Sequence, residues 1–532
     1  MRETLFRLLR KRDVLIGVAI ITVFLVIATA GAALVPYNNP YNSNDYYVAA
    51  PMAVPSWARL FPWYSNLPPD ISLPSNSALQ AFKLASAVTY WTADVKGATH
   101  ANITYDPTQG PSGMSLVGSG AYIQTNTGGG SELISTSGNS QSPITITLTH
   151  SFSYTYSPPK MFYQQVLVKP LSVKNAGLAI FLFVRNSKGT YLLGLSADSS
   201  AENALESGAL LGTDYATYFS DPTSTPLASG QWNYISGIST SPSTMPLYQL
   251  NSTVARSKNI GESIFGTKAN YTVGELIEIF PQGNYSVELA QSDFKFQILG
   301  SAYGALGTDT RGADVWSEFA AGTQTSLIIG FGATAVTMFI GVPLGLFSGF
   351  FGGLLDNFFI FIFDILLLLP GLTLLIDLDT TFTIAHVSPN RVLLIILLIG
   401  TLSWPVSARL VRSQVLSLRS RTYIEASRTM GASDVGILRR HILPHTAATI
   451  IAIVTYVAPG LITVDAGLDF LGLGIVNRPT WGNMLANLVN DINPGNGYLW
   501  WISLPVGLSI IVISIAFYLA GTGIQEEYGR IA

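Results

Sequence analysis

Two carboxylates, Asp364 and Asp465, fall inside long apolar runs of this chain. A charge is costly to bury in lipid, so an acid in such a run is a candidate for lining a hydrated path. The competing role is structural: either side chain can hydrogen-bond a helix break, near Pro370 for Asp364 and near Gly467 for Asp465. His441 and His445 suit helix-end carbonyls better than a metal, and no metal ligand is assigned. The chain has no cysteine, which removes thiolate chemistry, disulfides and cysteine metal sites. It also lacks a G-x-x-x-x-G-K-[ST] phosphate cradle. No catalytic or cofactor-binding residue is expected, and the chain is expected not to hydrolyse ATP itself.

The most informative stretch is mechanical rather than catalytic. Tyr423 to Pro444, YIEASRTMGASDVGILRRHILP, reads as helix, break, helix. Gly431 is the residue best able to take the left-handed conformation that ends a helix. Ala432 follows, and Ser433 is placed to cap a second short helix with Asp434 in its positive first turn. Arg439, Arg440 and His441 then complement that helix's negative end, with Pro444 as a stop. Alone, this pattern also fits a plain amphipathic loop between two membrane spans.

Its spacing resembles the EAA loop of ABC importer permeases. Glu425-Ala426-Ser427, then Gly431, then Leu443-Pro444 stand at that family's offsets, with Ser427 for its second alanine and His441 where an aliphatic residue is commoner. The resemblance implies a coupling helix that lies in a groove of a cytoplasmic ATPase, with small side chains allowing close approach. Glu425, Ala426, Ser427, Gly431, Ala432, Ser433, Leu443 and Pro444 are its candidate ATPase-coupling residues.

These residues need spans to move. Of 532 residues, 48% are hydrophobic and 11% charged. That is less than half the roughly 25% charge of a soluble domain, so apolar runs near twenty residues indicate an integral membrane protein. Arg2, Arg7, Arg10, Lys11 and Arg12 precede an apolar run from Val14 to Val35. At about 1.5 Å per residue it reaches about 33 Å, enough to cross a bilayer, and the positive cluster places it with its start in the cytoplasm. Ala28-Thr29-Ala30 resembles a signal-cleavage site, but the run exceeds a signal's usual length, so a retained first span is expected. Further spans are expected at Thr323–Phe350, Asp356–Ile376, Val392–Val411, Ala447–Val464 and Tyr498–Leu519. Six spans put both termini inside. Arg409, Arg412, Arg419, Arg421, Arg428, Arg439 and Arg440 then gather in or beside one cytoplasmic loop, as positive-inside bias requires.

Between the first two spans lies different material, rich in Ser, Thr, Gly, Asn, Pro and Tyr. Ile144, Ile146 and Leu148 alternate with threonines in a half-buried strand pattern. Tyr163–Lys169 and Gly177–Val184 read as two further strands, and Asn186-Ser187-Lys188-Gly189 as a hairpin turn into another. Such spacing suggests a β-sandwich or jelly roll. Sequons at Asn102, Asn251, Asn270 and Asn284 make these glycosylation candidates and fit an outside location. Trp91 and Trp232 invite a sugar-stacking reading, against which stands an ordinary role as core aromatics.

Beyond the insertion, Leu306-Gly307-Thr308-Asp309 with Gly312 and Asp314 resembles a stretch before the second span of the dipeptide/oligopeptide permeases, with Ala313 in place of an expected arginine. Asp465 to Gly474, DAGLDFLGLG, and Trp481-Gly482-Asn483-Met484-Leu485 resemble two more stretches of that subfamily, with Asp465 in place of its usual glutamate. From about Leu306 to Gln525 the chain is thus similar to the second-position permease of a dipeptide/oligopeptide-type ABC importer. The resemblance implies a homologous permease partner, two ATPase subunits or domains that bind the ATP, and an extracellular solute-binding protein. It implies peptides as substrate, with oligosaccharides as the alternative; an ion-coupled carrier or passive pore leaves the coupling loop unexplained. No nucleic acid partner is implied. The expected organisation is a first span over 1–35, an extracellular all-β domain over 36–304, and a helical permease domain over 305–532 with its coupling loop at 412–445, all in the plasma membrane.

Overall fold

The structure is a computed structural model that describes residues 11–34, 48–98, 100–111, 130–206, 215–218, 226–240, 246–249, 252–256, 260–384, 390–475, 478–490 and 499–531. Asn251 lies outside them. The chain divides into two compact units, Met1–Tyr41 with Val315–Ala532, and Asn42–Asp314. The second boundary falls about ten residues later than the sequence suggests. Backbone bonds explain this, because Met52 N–H donates to Asp309 O (2.7 Å) and Thr308 N–H to Ala53 O (2.9 Å). The Leu306–Asp314 stretch is therefore sewn into the β-rich unit. Arg311 there pairs with Asp309 at 2.7 Å.

The first unit is helical: α1 (Arg12–Leu34), α2 (Val315–Phe351), α3 (Gly353–Leu368), α4 (Gly371–Ile384), α5 (Arg391–Arg419), α6 (Thr422–Thr429), α7 (Asp434–Ile437), α8 (Leu443–Phe470), α9 (Trp481–Asn490) and α10 (Trp500–Ile531). Five stretches among the described residues are long and apolar enough to cross a membrane, with α7 and α8 forming one of them. The expected third span is instead a bent pair, α3 and α4, turning by 83° at the break. Leu369 is extended there, as a residue preceding proline must tend to be, and Pro370 closes off α3.

Helices meet through glycine. A methyl group placed on Gly345 would come within 2.5 Å of Ala408 O and 2.8 Å of Val411 Cβ. Gly341 and Gly349, four residues to either side, also face α5, at 3.0 and 2.8 Å on the same measure, so α2 presents a small-residue stripe that lets two backbones touch. Where α1 lies on α10, Gly17 meets Ala516 and Ala520 in the same way. Lys11 Nζ pairs with Glu526 at 3.0 Å, which puts the start of α1 and the end of α10 at one end of the unit. Gly31 meets Ala320 at the other, so α2 runs antiparallel to α1 and delivers Phe350 back to the Lys11 end.

The second unit is a β structure built on two very long strands. Its main strands are β1 (Ile71–Leu73), β2 (Thr92–Lys96), β3 (His100–Asp106), β4 (Ser131–Ser140), β5 (Ile144–Tyr154), β6 (Met161–Asn186), β7 (Gly189–Ala197), β8 (Asn233–Thr240) and β9 (Ala269–Ile298). The strands expected at Tyr163–Lys169 and Gly177–Val184 are two halves of the single strand β6. β6 and β9 run antiparallel along their whole lengths, with the register shifting between Pro281 and Ser286. One half of β9 pairs with β5 and the other with β4. Ile144, Ile146, Leu148, Ile180 and Leu182 from one half pack in the same cluster as Ile134, Val166, Val168, Val287 and Leu289 from the other. The two halves of the long strands therefore share one core. Asn186 Oδ1 accepts from Lys188 and Gly189 N–H, fixing the expected turn into β7.

Candidate coupling site

The hairpin after α5 is built largely as its residue types dictate. α6 ends at Gly431, whose φ of +84° is the left-handed value that glycine reaches without strain. The Ser433 hydroxyl accepts from Gly436 N–H at 3.2 Å and caps α7. The second helix does not stop at Pro444. A π-helical turn over Leu438–Ile442 carries α7 directly into α8, and Pro444 sits in the first turn of α8. Proline lacks an N–H and crowds the carbonyl four residues back; a widened turn relieves that crowding and leaves no donor wanting. α7, the π-helical turn and α8 thus form one continuous helical run from Asp434 to Phe470.

One face of this hairpin is anchored and the other is bare. Ile424, Ile437 and Ile442 are buried in a cluster with Leu346 and Phe350 of α2, Val411, Val415 and Leu418 of α5, and Ile453 of α8. Arg428 lies over the Phe350 ring at 5.3 Å and reaches Asp434 at 3.5 Å. Ser427 is buried, its hydroxyl bonded to Tyr423 O at 2.8 Å. Glu425, Ala426, Gly431, Ala432, Ser433, Leu443 and Pro444 are exposed, and with them two large apolar side chains, Met430 at 80% and Val435 at 68%. His445 Nδ1 lies 2.7 Å from His441 O, the helix-carbonyl role expected of it.

Behind the anchored face stands an ion-pair network that the sequence does not announce. Arg412 Nε and Nη2 bond the two carboxylate oxygens of Asp356 at 2.6 and 2.7 Å, and Ser348 donates to Asp356 at 2.6 Å. Asp356 thereby ties the start of α3 to the ends of α2 and α5. The Arg419 guanidinium lies over Gly352, whose φ of +69° turns the chain between α2 and α3.

The two intramembrane acids differ. Asp364 is half exposed and paired with Arg409 of α5. Asp465 is fully buried, with no hydrogen-bond partner for either carboxylate oxygen among the described residues. One turn on, Asp469 accepts from Ile475 N–H at 3.1 Å, and Gly482 packs against Ala466 and Asp469. Trp481 is buried and donates to Thr323 of α2 at 3.2 Å. The two sequence stretches at 465–474 and 481–485 thus fold onto each other at the end of α8. In the β-rich unit Asn102, Asn270 and Asn284 are exposed, while Trp91 and Trp232 are core residues.

A helical unit with five stretches long and apolar enough to cross a membrane fits a transporter's membrane component. Residues 341–526 match the family model for the binding-protein-dependent transport system inner membrane component. The chain is 34% identical over 222 residues to the glutathione transport system permease protein GsiD of Pectobacterium atrosepticum, covering 42% of this chain and 70% of that one. It is 33% identical over 222 residues to the oligopeptide permease OppC of Bacillus subtilis, with the same coverage. To the dipeptide permease DppC of Alkalihalophilus pseudofirmus it is 33% identical over 253 residues, covering 47% and 80%. The chain belongs to the family of binding-protein-dependent transport system inner membrane components, as a peptide-type ABC importer permease with a large insertion after its first helix.

Proposed function

We propose that this chain is the permease subunit of an ATP-driven importer that moves dipeptides or oligopeptides inward across the plasma membrane. The observation that carries the reading is the hairpin at 422–442, apolar and bare outward, isoleucine-anchored inward, and continuous with α8. ATP-driven closure of two partner ATPases pushes on Met430, Ala432 and Val435 and biases the spans between inward-open and outward-open states. ATP binds on those partners, and this chain supplies no cofactor site. A homologous permease completes the pore, and an extracellular solute-binding protein delivers substrate. Positive-inside bias on the arginines grouped with the hairpin and on Lys11 supports a cytoplasmic location for that end and both termini. The β-rich unit is then extracellular, a two-layer sandwich carrying glycosylation candidates at Asn102, Asn251, Asn270 and Asn284. Asp364 and Asp465 remain the acids to test on the translocation path. Peptide rather than sugar is favoured because the curated relatives are peptide and glutathione permeases, and because Trp91 and Trp232 are core residues with no face for a sugar.

The test is reconstitution of the five-part complex in liposomes with labelled peptides and oligosaccharides outside. Peptide accumulation that needs both ATP and the ATPase subunits is expected. Accumulation without those subunits would overturn the reading.

A further inference from the structure

Two short turns of 3-10 helix in the β-rich unit, Ser56–Leu60 and Pro62–Tyr64, carry the sequence SWARLFPWY. Trp57, Leu60, Phe61 and Trp63 are exposed, Leu60 at 85% and Trp63 at 72%. Their rings touch one another. Trp57 meets Phe61 edge-on with centroids 6.3 Å apart, Phe61 stacks on Trp63 at 5.4 Å, and Trp63 meets Tyr64 at 6.3 Å. Single exposed apolar side chains are ordinary, but a contiguous group of them marks an interaction surface.

The polar groups around this patch are engaged within the chain. Arg59, the only charge from Ser56 to Pro69, is half-buried and donates through Nη2 to Pro68 O at 2.9 Å and Leu67 O at 3.3 Å. Trp57 Nε1 donates to Ala305 O at 2.9 Å, and Ser65 Oγ to Pro62 O at 2.8 Å. A small polar ligand needs convergent hydrogen-bonding groups, and a protein partner meets a polar rim. Lipid hydrocarbon needs neither. Tryptophan and tyrosine are also the residues favoured at the bilayer interface, where their rings sit at headgroup level.

The place of the patch in the chain points the same way. Val54 and Pro55 pair with Ala302 and Tyr303, and Ser56 N–H donates to Gly304 O at 3.0 Å, so the patch is pinned to the last residues of its unit. A methyl group placed on Gly304 would lie 3.5 Å from Asp314 Oδ1. Asp314 directly precedes Val315, the first residue of α2. Within the helical unit, Gly31 near the end of α1 meets Ala320 of α2. The 23 residues of α1 reach about 34 Å, just the length of a bilayer's hydrocarbon, so its end marks where that hydrocarbon stops. Val315 stands five residues before Ala320, about 7.5 Å along the helix, which falls in the headgroup layer. The patch is thus fastened to the chain where the chain enters the membrane.

We propose that Trp57, Leu60, Phe61 and Trp63 form a lipid-binding site, seated in the interfacial layer of the bilayer at the Val315 end of α2. That this is the outer leaflet rests on the topology proposed above.

The chain has no cysteine, so Leu60→Cys gives a single attachment point for a nitroxide spin label. The full chain is reconstituted in phosphatidylcholine liposomes without partner subunits. The label's collision rates are then measured with oxygen, which concentrates in lipid, and with a water-soluble nickel chelate. Lys188→Cys, in the exposed turn into β7, is the aqueous reference. The oxygen-to-nickel ratio is expected to be at least about fivefold higher at position 60 than at 188, as for a side chain about 5–10 Å into the boundary of headgroups and acyl chains. Equal ratios would overturn the proposal, and are the result for a patch that waits in water for a solute-binding protein or a sugar. Low collision rates with both reagents would also overturn it, because a second copy of the chain would then cover the patch. A membrane-impermeant thiol reagent on intact cells carrying Lys188→Cys tests the side separately. Labelling only after the cells are opened would overturn the outer location and leave the lipid contact standing.

Discussion

Arg412 and Asp356 are joined by two parallel N–H···O bonds of 2.6 and 2.7 Å, a fork-to-fork pair at the hairpin end of the helical unit. Bidentate geometry fixes direction as well as distance, so α5 and α3 cannot slide past each other there. The same α5 residues that precede the hairpin therefore hold the bent pair α3–α4 in place.

Breaking that pair is expected to be felt in stability first. Asp356→Ala leaves a half-buried guanidinium without its acceptors and is expected to cost about 2 kcal/mol. Arg412→Lys, which keeps the charge but not the fork, is expected to cost about half as much. Thermal unfolding of the detergent-solubilised protein measures both. Equal loss from the two substitutions would mean that charge alone matters at this site.

At Gly431 the expected defect is functional. Space around the residue is open, so a larger side chain meets no clash, but φ of +84° strains any β-branched residue. That strain is about 1–2 kcal/mol, enough to shift the hairpin's docking equilibrium about tenfold. Gly431→Val is expected to reach the membrane in normal amount and to hydrolyse ATP with its partners while peptide uptake falls about tenfold. Gly431→Asn, which tolerates the left-handed region, is expected to fall much less. Uptake and hydrolysis measured in the same vesicles decide it, and unimpaired uptake by the valine variant would remove the hairpin from the coupling path.

What was legible in the sequence follows a physical rule. Gly431 and Ser433 act on backbone within a few residues of themselves, so their types reveal the break and the cap directly. Apolar runs reveal spans for the same local reason. Arg412 and Asp356 meet across helices, where spacing along the chain carries no signal. The continuity of β6 was hidden by Pro170, which ordinarily ends a strand; here it sits at a register shift opposite Leu289, where the ladder asks for no donor. The run through Pro444 was hidden likewise, because a π-helical turn has no residue signature of its own.

Gly345 tests the packing of the helical unit. Its Cα faces Ala408 O and Val411 with no room for a side chain, and it is the middle of the Gly341–Gly345–Gly349 stripe. Gly345→Leu is expected to force α2 and α5 apart at a cost of about 3 kcal/mol or more, read as loss of protein from the membrane fraction. Gly371→Leu, at a position with nothing within 4 Å of a built Cβ, is the control and is expected to accumulate normally. Normal accumulation of Gly345→Leu would mean that the two helices do not touch there.

Glu278 gives the β-rich unit a pH dependence of definite sign. It lies on β9 between Leu276 and Phe280, buried, with no partner for Oε2 among the described residues, and burial raises its carboxyl from 4.5 to about 7. The folded state therefore holds this proton more tightly than the unfolded state between pH 4.5 and 7. Its contribution is fully present below pH 4.5 and is lost as pH rises through about 7. The span of that loss is about 3 kcal/mol at most, taking about 1.4 kcal/mol for each pH unit. Glu278→Gln removes the charge without changing the shape, so the variant is expected to be more stable than wild type at pH 8 and nearly equal to it at pH 4.5. Unfolding midpoints across that range provide the check. A wild-type midpoint that rises with pH, or a variant with the same slope as wild type, would show that this carboxyl is ionised in a polar setting rather than buried among Leu276 and Phe280.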